Sequence, residues 1–303
     1  MRRRNFLGYS FLFLAGCAAT TTQSQDGAQT TGEASNEVGT LRLAVTDVQG
    51  LEELQRDYGA FRDQLGETLG REIEFFPVAD RAAAAVALQS DQVDVVFTGP
   101  AEYVVINAKT EAVPFLAITR PNYYSVIAVR ADSGITSAEQ LKGQQLAMSD
   151  IGSTSGHLGP SKILVDQGLD PQNDLEVLML GDAELQALKN GDVKAWGGSY
   201  IDYERFLEAE GAQPSDYPIL IEGEMLPSDV LVASKNLDPA FVNEITEKML
   251  ADQDALIAAI TSVDANEKFV GSELVAVDDS DYDSIRESYK AIGVIEFTEF
   301  VGD

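Results

Sequence analysis

Cysteine, histidine and tryptophan each occur once in the 303 residues. A single cysteine excludes a disulfide framework and a thiolate metal cluster, and a single histidine leaves no zinc-ligand set. Basic residues are scarce too: 21 against 50 acidic ones, for a formal net charge of −29. With no basic stripe, a nucleic-acid partner is not expected. No Walker A loop and no dinucleotide fingerprint occurs, so no cofactor is expected and no metal. The acidic "DDSDYD" (Asp278–Asp283) fails the calcium-loop template, because Ser284 stands where glycine is needed and Lys290 where a glutamate belongs. It reads instead as a solvated turn whose acids favour the next helix N-terminus.

The start of the chain has its own logic. Met1–Arg4 carries three arginines, Phe6–Ala15 is a short apolar run, and "LAGC" ends at Cys17. These are the parts of a secretory signal, and the apolar run is too short to span a bilayer. "LAGC" resembles a bacterial lipobox, in which Cys17 would become the lipidated first residue; "RRNFL" resembles a twin-arginine signal more weakly. Cleavage of residues 1–16 leaves 18 basic residues against 50 acidic ones, a formal charge of −32. Residues 17–39 are polar and read as a disordered, lipid-anchored tether. An exported globule is expected, in the periplasm or on the outer face of a bacterial membrane.

From Leu41 the pattern alternates. "LRLAV", "EIEFFPV" and "VDVVFTG" read as strands, separated by helices over 51–69 and 82–89. Such alternation argues for βαβ units. After "YYSVIAVRAD" the pattern restarts, with strands at "QQLAMSD", "LEVLML", "VKAWGG" and "YPILIE". "SDVLVAS" then forms a strand, followed by helices over 239–260 and 281–292. Residues 126–225 therefore read as an α/β unit inserted into a first one made of 40–125 and 226–303. The expected fold is α/β with two lobes, each a mainly parallel sheet flanked by helices, hinged over a cleft faced by strand carboxyl ends.

One stretch concentrates chemistry. "SDIGSTSGHLGPSKILV" (Ser149–Val165) places Ser153, Thr154, Ser155 and His157 between a strand and a helix. Three readings stand. The hydroxyls are a helix cap, an anion cradle made with the free amides of the first turn, or a nucleophile with His157 as its base. No G-x-S-x-G elbow surrounds Ser153, which weakens the enzyme reading. Other candidates flank the expected cleft. Tyr103 in "FTGPAEYV" points its hydroxyl into the cleft or packs between the lobes. Tyr123 and Tyr124 in "NYYSV" suit a cleft floor, or one is ordinary core. Asp229 in "LPSDVLV" accepts a hydrogen bond from a protonated ligand oxygen or simply starts a strand.

Together, "RADSGITSAEQLKGQQLAMSDIGSTSGHLGP", "DQVDVVFTGPAEYV" and "LPSDVLVAS" resemble, in order, segments of the phosphonate/phosphite/phosphate-type substrate-binding proteins of ABC importers. The resemblance covers about Leu41 to Leu250. It implies a periplasmic-binding-protein-like fold of type II with the ligand in the interlobe cleft, and no enzymatic activity. It implies an oxyanion held by Ser153, Thr154 and Ser155, with Tyr103, Tyr123 or Tyr124, and Asp229 from the facing side; His157 is a further pocket-wall candidate. Two positions depart from the family pattern. Arg81 stands where an aromatic is usual and would add a bidentate charge pair to a phosphoryl group. Asp182 stands where a histidine is common and would favour a protonated oxyanion. "WGGSYIDYERF" resembles the inorganic-oxyanion side of the family, which favours phosphite, phosphate or methylphosphonate. About five charge-assisted hydrogen bonds of roughly 1.5–3 kcal/mol each exceed the ~8 kcal/mol of a micromolar Kd. The expected partners are a small oxyanion, an ABC permease and the membrane through the lipid, with the protein itself a monomer. A sensor module of the same fold, serving a membrane histidine kinase, and a Ser153/His157 hydrolase are the rival readings.

Overall fold

The computed structural model describes residues 39–79 and 81–301. The signal, Cys17 and all but the last residue of the tether lie outside the described residues. The first stretch contains β1 (Leu41–Val45), α1 (Gly50–Leu69), β2 (Ile73–Phe75), α2 (Ala83–Gln89), β3 (Val95–Thr98), α3 (Pro100–Thr110) and β4 (Val113–Ile118). The second contains β5 (Tyr124–Val129), β6 (Gln145–Met148), α4 (Gly159–Asp166), β7 (Glu176–Met179), α5 (Glu184–Asn190), β8 (Ala195–Ser199), α6 (Tyr200–Glu210) and β9 (Ile219–Met225). The chain then returns through β10 (Asp229–Ala233), α7 (Pro239–Ala251), α8 (Gln253–Ile260), β11 (Leu274–Ala276) and α9 (Asp283–Ala291).

Two sheets result. One has the order β11-β4-β10-β3-β1-β2 and the other β7-β6-β8-β5-β9. Neither is mainly parallel, which corrects the expectation. β1 pairs in parallel with β2 and β3, and β6 with β7 and β8. β10 and β5, however, run antiparallel to both of their neighbours. The cause is connectivity. β5 and β10 each enter their sheet directly from the other one, with no crossover helix to turn the chain around.

Periodicity explains the layers. Leu54, Tyr58, Phe61, Leu65 and Leu69 recur at three- and four-residue spacing on α1 and are buried against one face of the first sheet, with α7 and α8. The other face is covered by α2, α3 and α9. α4 covers one face of the second sheet, and α5 with α6 the other. All five residues of β10 are buried, as befits a strand inserted between β3 and β4. β4 and β11 were not anticipated as strands.

Two features aim the carboxyl ends of the strands at a common cleft. The crossing segments are tied together, Leu226 N–H donating to the Tyr123 carbonyl at 2.8 Å. Across the cleft, Ala101 N–H at the start of α3 donates to Thr154 Oγ1 at 3.1 Å.

Candidate functional site

The serine-rich stretch begins where β6 ends. Ser153 is the N-cap of a π-helical turn, Thr154–Leu158, that runs into α4, and its hydroxyl oxygen accepts from Gly156 N–H at 3.1 Å. The amides of Thr154 and Ser155, in the first turn, have no carbonyl within the helix to reach. Wide i→i+5 turns of this kind recur at functional sites. Gly156 is required for it, since a Cβ there would lie 2.5 Å from that of Ser149. The turn is pinned from behind by Ser125, whose hydroxyl donates to the Ser155 carbonyl at 2.9 Å. Ser153 and Thr154 therefore use their oxygens as acceptors within the protein, and the Ser153 hydroxyl proton remains to be donated. The accepting oxygens of an anion are the natural complement.

The first sheet contributes charge to the same cleft. Asp229 opens β10 beside Ile118, the last residue of β4, and Arg120 follows two residues later. Arg120 Nη1 lies 3.6 Å from Asp229 Oδ1, and its guanidinium sits 3.6 Å from the centre of the Tyr123 ring. Lys268 Nζ lies 3.3 Å from Asp229 Oδ2 and pairs more closely with Asp47, just past β1. Burial opposes the charge of Lys268, yet Asp47 and Asp229 hold its pKa above the usual lysine value. Burial likewise opposes ionisation of Asp47, but Lys268 outweighs it and holds the carboxyl below its usual range. Burial raises the pKa of Tyr123, Arg120 partly offsetting this, and its hydroxyl interacts with the Ser155 and Thr154 side chains. Two buried atoms here have no hydrogen-bond partner: Arg120 Nε, a donor, and Asp229 Oδ2, an acceptor.

The structure thus brings Ser153, Thr154, Ser155, Tyr123 and Asp229 to one cleft. It does not bring the other candidates to the hydroxyls. Tyr103 is fully buried and donates to Asp279 Oδ1 at 2.6 Å, its ring 4.5 Å from that of Tyr282. α3 starts at the cleft, but this side chain leaves on the far flank. Tyr124 points opposite to Tyr123, as strand alternation demands; its ring stacks on Tyr200 at 4.7 Å. Burial, with Glu222 nearby, pushes its pKa up to about 12. The Arg81 guanidinium pairs with the buried Glu102 at 3.1 Å, so its charge is spent on protein. Asp182 is exposed on the turn after β7. His157 Nδ1 accepts from Gly152 N–H at 3.1 Å, and burial lowers its pKa. That leaves a neutral ring with its proton on Nε2, engaged with Gly152 and not with Ser153. In the acidic turn, Asp278 and Asp281 form a capping box, a more specific arrangement than the solvated, dipole-favouring turn expected from the sequence.

Three residues were missed. Asp47 lies two residues beyond the carboxyl end of β1, a strand legible in the sequence, and could have been flagged; Arg120 stands in the same relation to β4, which was not legible. Lys268 carried no such signal, because it reaches Asp47 across 221 positions of chain.

Residues 43–282 match the family described as the periplasmic substrate-binding protein of phosphonate ABC transporters. The chain is 26% identical over 302 residues to the phosphate-import protein PhnD of Mycolicibacterium smegmatis, covering 90% of this chain and 92% of that one. In architecture it is similar to XAC2383 from Xanthomonas citri bound to ATP, with a TM-score of 0.67, 19% identity, and coverage of 84% of this chain and 97% of that one. It is also similar to PhnD1 from Prochlorococcus marinus (MIT 9301) in complex with methylphosphonate, with a TM-score of 0.62, 18% identity, and coverage of 84% and 98%.

Proposed function

Because the chain belongs to the periplasmic substrate-binding proteins of phosphonate ABC transporters, we propose that it captures a small phosphorus oxyanion in its monoprotonated form and hands it to the permease. The candidates are phosphite, phosphate and methylphosphonate. The observation that carries this reading is Arg120 Nε and Asp229 Oδ2, buried in one cleft with no hydrogen bond made, the latter held only by its ion pair with Lys268 at 3.3 Å. A buried donor without a partner is costly, a carboxylate oxygen held by one ion pair can still accept, and a ligand bearing both an anionic oxygen and an acidic P–OH satisfies both. Ser153, Thr154 and Ser155 then supply hydroxyl protons, and the first-turn amides add the positive end of the helix dipole. Similarity to a phosphate-import protein supports the ligand class.

The same reading assigns no catalysis to Ser153, since the Nδ1 of His157 is occupied by Gly152 N–H. The lobes are taken as 40–125 plus 226–303, and 126–225, with the tied crossing segments as hinge. A lipid on Cys17 and a tether over 17–39 would keep a monomer at the membrane. Labelling by a palmitate analogue, lost in Cys17→Ala, checks the anchor.

Calorimetric titration of the mature protein with phosphite, phosphate, methylphosphonate and sulfate tests the function. At least one phosphorus anion should bind with micromolar or better affinity, and sulfate, which carries no proton at neutral pH, should bind far more weakly. Silence from all three phosphorus anions would sink the proposal.

A further inference from the structure

The family match ends at Tyr282, yet the chain continues through α9 and a segment described to Val301. This extension touches both lobes. On the first, Tyr289 on α9 donates its hydroxyl to the Ala101 carbonyl at 3.1 Å. Ala101 is the residue whose own amide holds Thr154. On the second, Gln172 Nε2 donates to the Ile292 carbonyl at 2.7 Å. The chain then crosses back, Phe297 packing its ring 5.7 Å from that of Tyr289. Phe300 is 9% exposed, in a cluster that combines Val230 and Val104 of the first lobe with Leu158 of the second. Finally the Val301 carbonyl lies over Gly152, 3.2 Å from where a Cβ would stand. Gly152 has a φ of +83°, so glycine meets two demands at that position.

We propose that residues 283–301 are a clasp that holds the two lobes together over the hydroxyl cradle and so sets how quickly the bound anion leaves. The argument is one of state-specific contact. Tyr289 engages one lobe, while Gln172 and Gly152 belong to the other, so hinge opening must break at least one set. Contacts made only in the closed arrangement shift the equilibrium toward it. A ligand sealed in that arrangement escapes only as often as the clasp opens, so the effect falls on release and not on capture. The release part rests on the oxyanion reading above; the closure part does not.

The test uses the full mature chain carrying dyes at Asp63→Cys on α1 and Gln186→Cys on α5, both exposed. Energy transfer between them reports lobe separation without ligand, and stopped-flow displacement of methylphosphonate reports release. Phe300→Ala should lengthen the mean separation and speed release about tenfold, with association changed by less than about twofold. Gln172→Ala, which removes one exposed contact and no core, should act in the same direction, by about two- to threefold. Lys290→Ala, exposed on α9, should leave both readouts unchanged. Unaltered separation in a folded Phe300→Ala and in Gln172→Ala overturns the clasp; should Phe300→Ala fail to fold, Gln172→Ala decides alone. If methylphosphonate does not bind the parent protein, the oxyanion reading has failed for that ligand, and the separation measurement still decides the clasp.

Discussion

The amide of Ala101 and the hydroxyl oxygen of Thr154 meet at 3.1 Å, joining the N-terminus of α3 to the serine-rich turn across the cleft. One side chain is thus both a lobe-to-lobe contact and part of the proposed cradle. Among the described residues, its neighbour Ser155 accepts from no backbone amide of the facing lobe, its side chain meeting only the Tyr123 hydroxyl, so loss of an N–H acceptor can be separated from loss of a cradle donor. Ser155→Ala should weaken phosphate or methylphosphonate binding by roughly 10- to 100-fold, the worth of a charge-assisted hydrogen bond, with little change in Tm. Thr154→Val should lose a similar affinity and also lower Tm, because a buried N–H loses its acceptor, at about 1–3 kcal/mol. Calorimetry and thermal unfolding of the two variants check this.

Asp229→Asn addresses the protonation state of the ligand. A carboxylate in that place accepts only, so it selects an anion that still carries a proton. The second ionisation of a phosphoryl group falls near about pH 6. Parent affinity for methylphosphonate and phosphite, which lose their last acidic proton there, should therefore fall as pH rises through that region. Phosphate, whose dianion keeps a P–OH, should show no such fall. The asparagine amide can donate to the dianion, so the variant's affinity should stay level or rise over the same range. Titrations from pH 5 to pH 8 discriminate; a variant that tracks the parent would remove Asp229 from ligand recognition.

Lys268→Met should show a stability defect with two pH edges. Asp47 has a depressed pKa, so its contribution is present above its unfolded value, about 3.9, and is lost as pH falls through the lower folded value. Lys268 has a raised pKa, so its contribution is present below about 10.4 and is lost as pH rises through the folded value. The Tm gap between parent and variant should be full at neutral pH, at roughly 1–2 kcal/mol or about 2–6 °C. It should narrow below about pH 4 and again above about pH 10.

Tyr103→Phe is expected to leave anion affinity within about twofold of the parent, since the hydroxyl serves Asp279 and not the cradle. A tenfold loss by calorimetry would return this tyrosine to the cleft.

Gly156→Ala should act on the cradle's shape. The added methyl would press on the Ser149 Cβ, and a displacement of this kind near a binding group is felt strongly. Affinity should drop at least about tenfold while far-UV circular dichroism stays unchanged.

What was legible in the residues was what is local. The alternation of strand and helix, the strand-to-turn setting of Ser153–Ser155, and the acidic turn before α9 all depend on neighbours a few positions apart. β4 was not read, because "VPFLAI" lacks alternation, as a strand buried on both faces does. The antiparallel strands escaped for a different reason: strand direction is set by which sheet the chain has just left, and composition carries no trace of that. Tyr103 misled because a helix that begins at a cleft still sends its residues around all flanks. The charged group of Asp47, Arg120, Asp229 and Lys268 was the largest gap. Only Asp229 drew notice, since the others lie far apart in sequence or in segments without a motif, and folding alone brings them together.

The placement of Arg120 and Lys268 has a kinetic consequence. They are among the few cations of a chain with 50 acidic residues, and they lie inside the cleft opposite Asp229 and Asp47. An approaching anion therefore meets a repulsive far field and an attractive region only at contact range. Raising ionic strength from 0.01 to 0.15 M shortens the Debye length from about 30 to about 8 Å. That erases the repulsion over most of the approach and touches the partly buried cations much less. Anion uptake by this protein should accelerate with salt, whereas a receptor that attracts its ligand with a basic surface slows down.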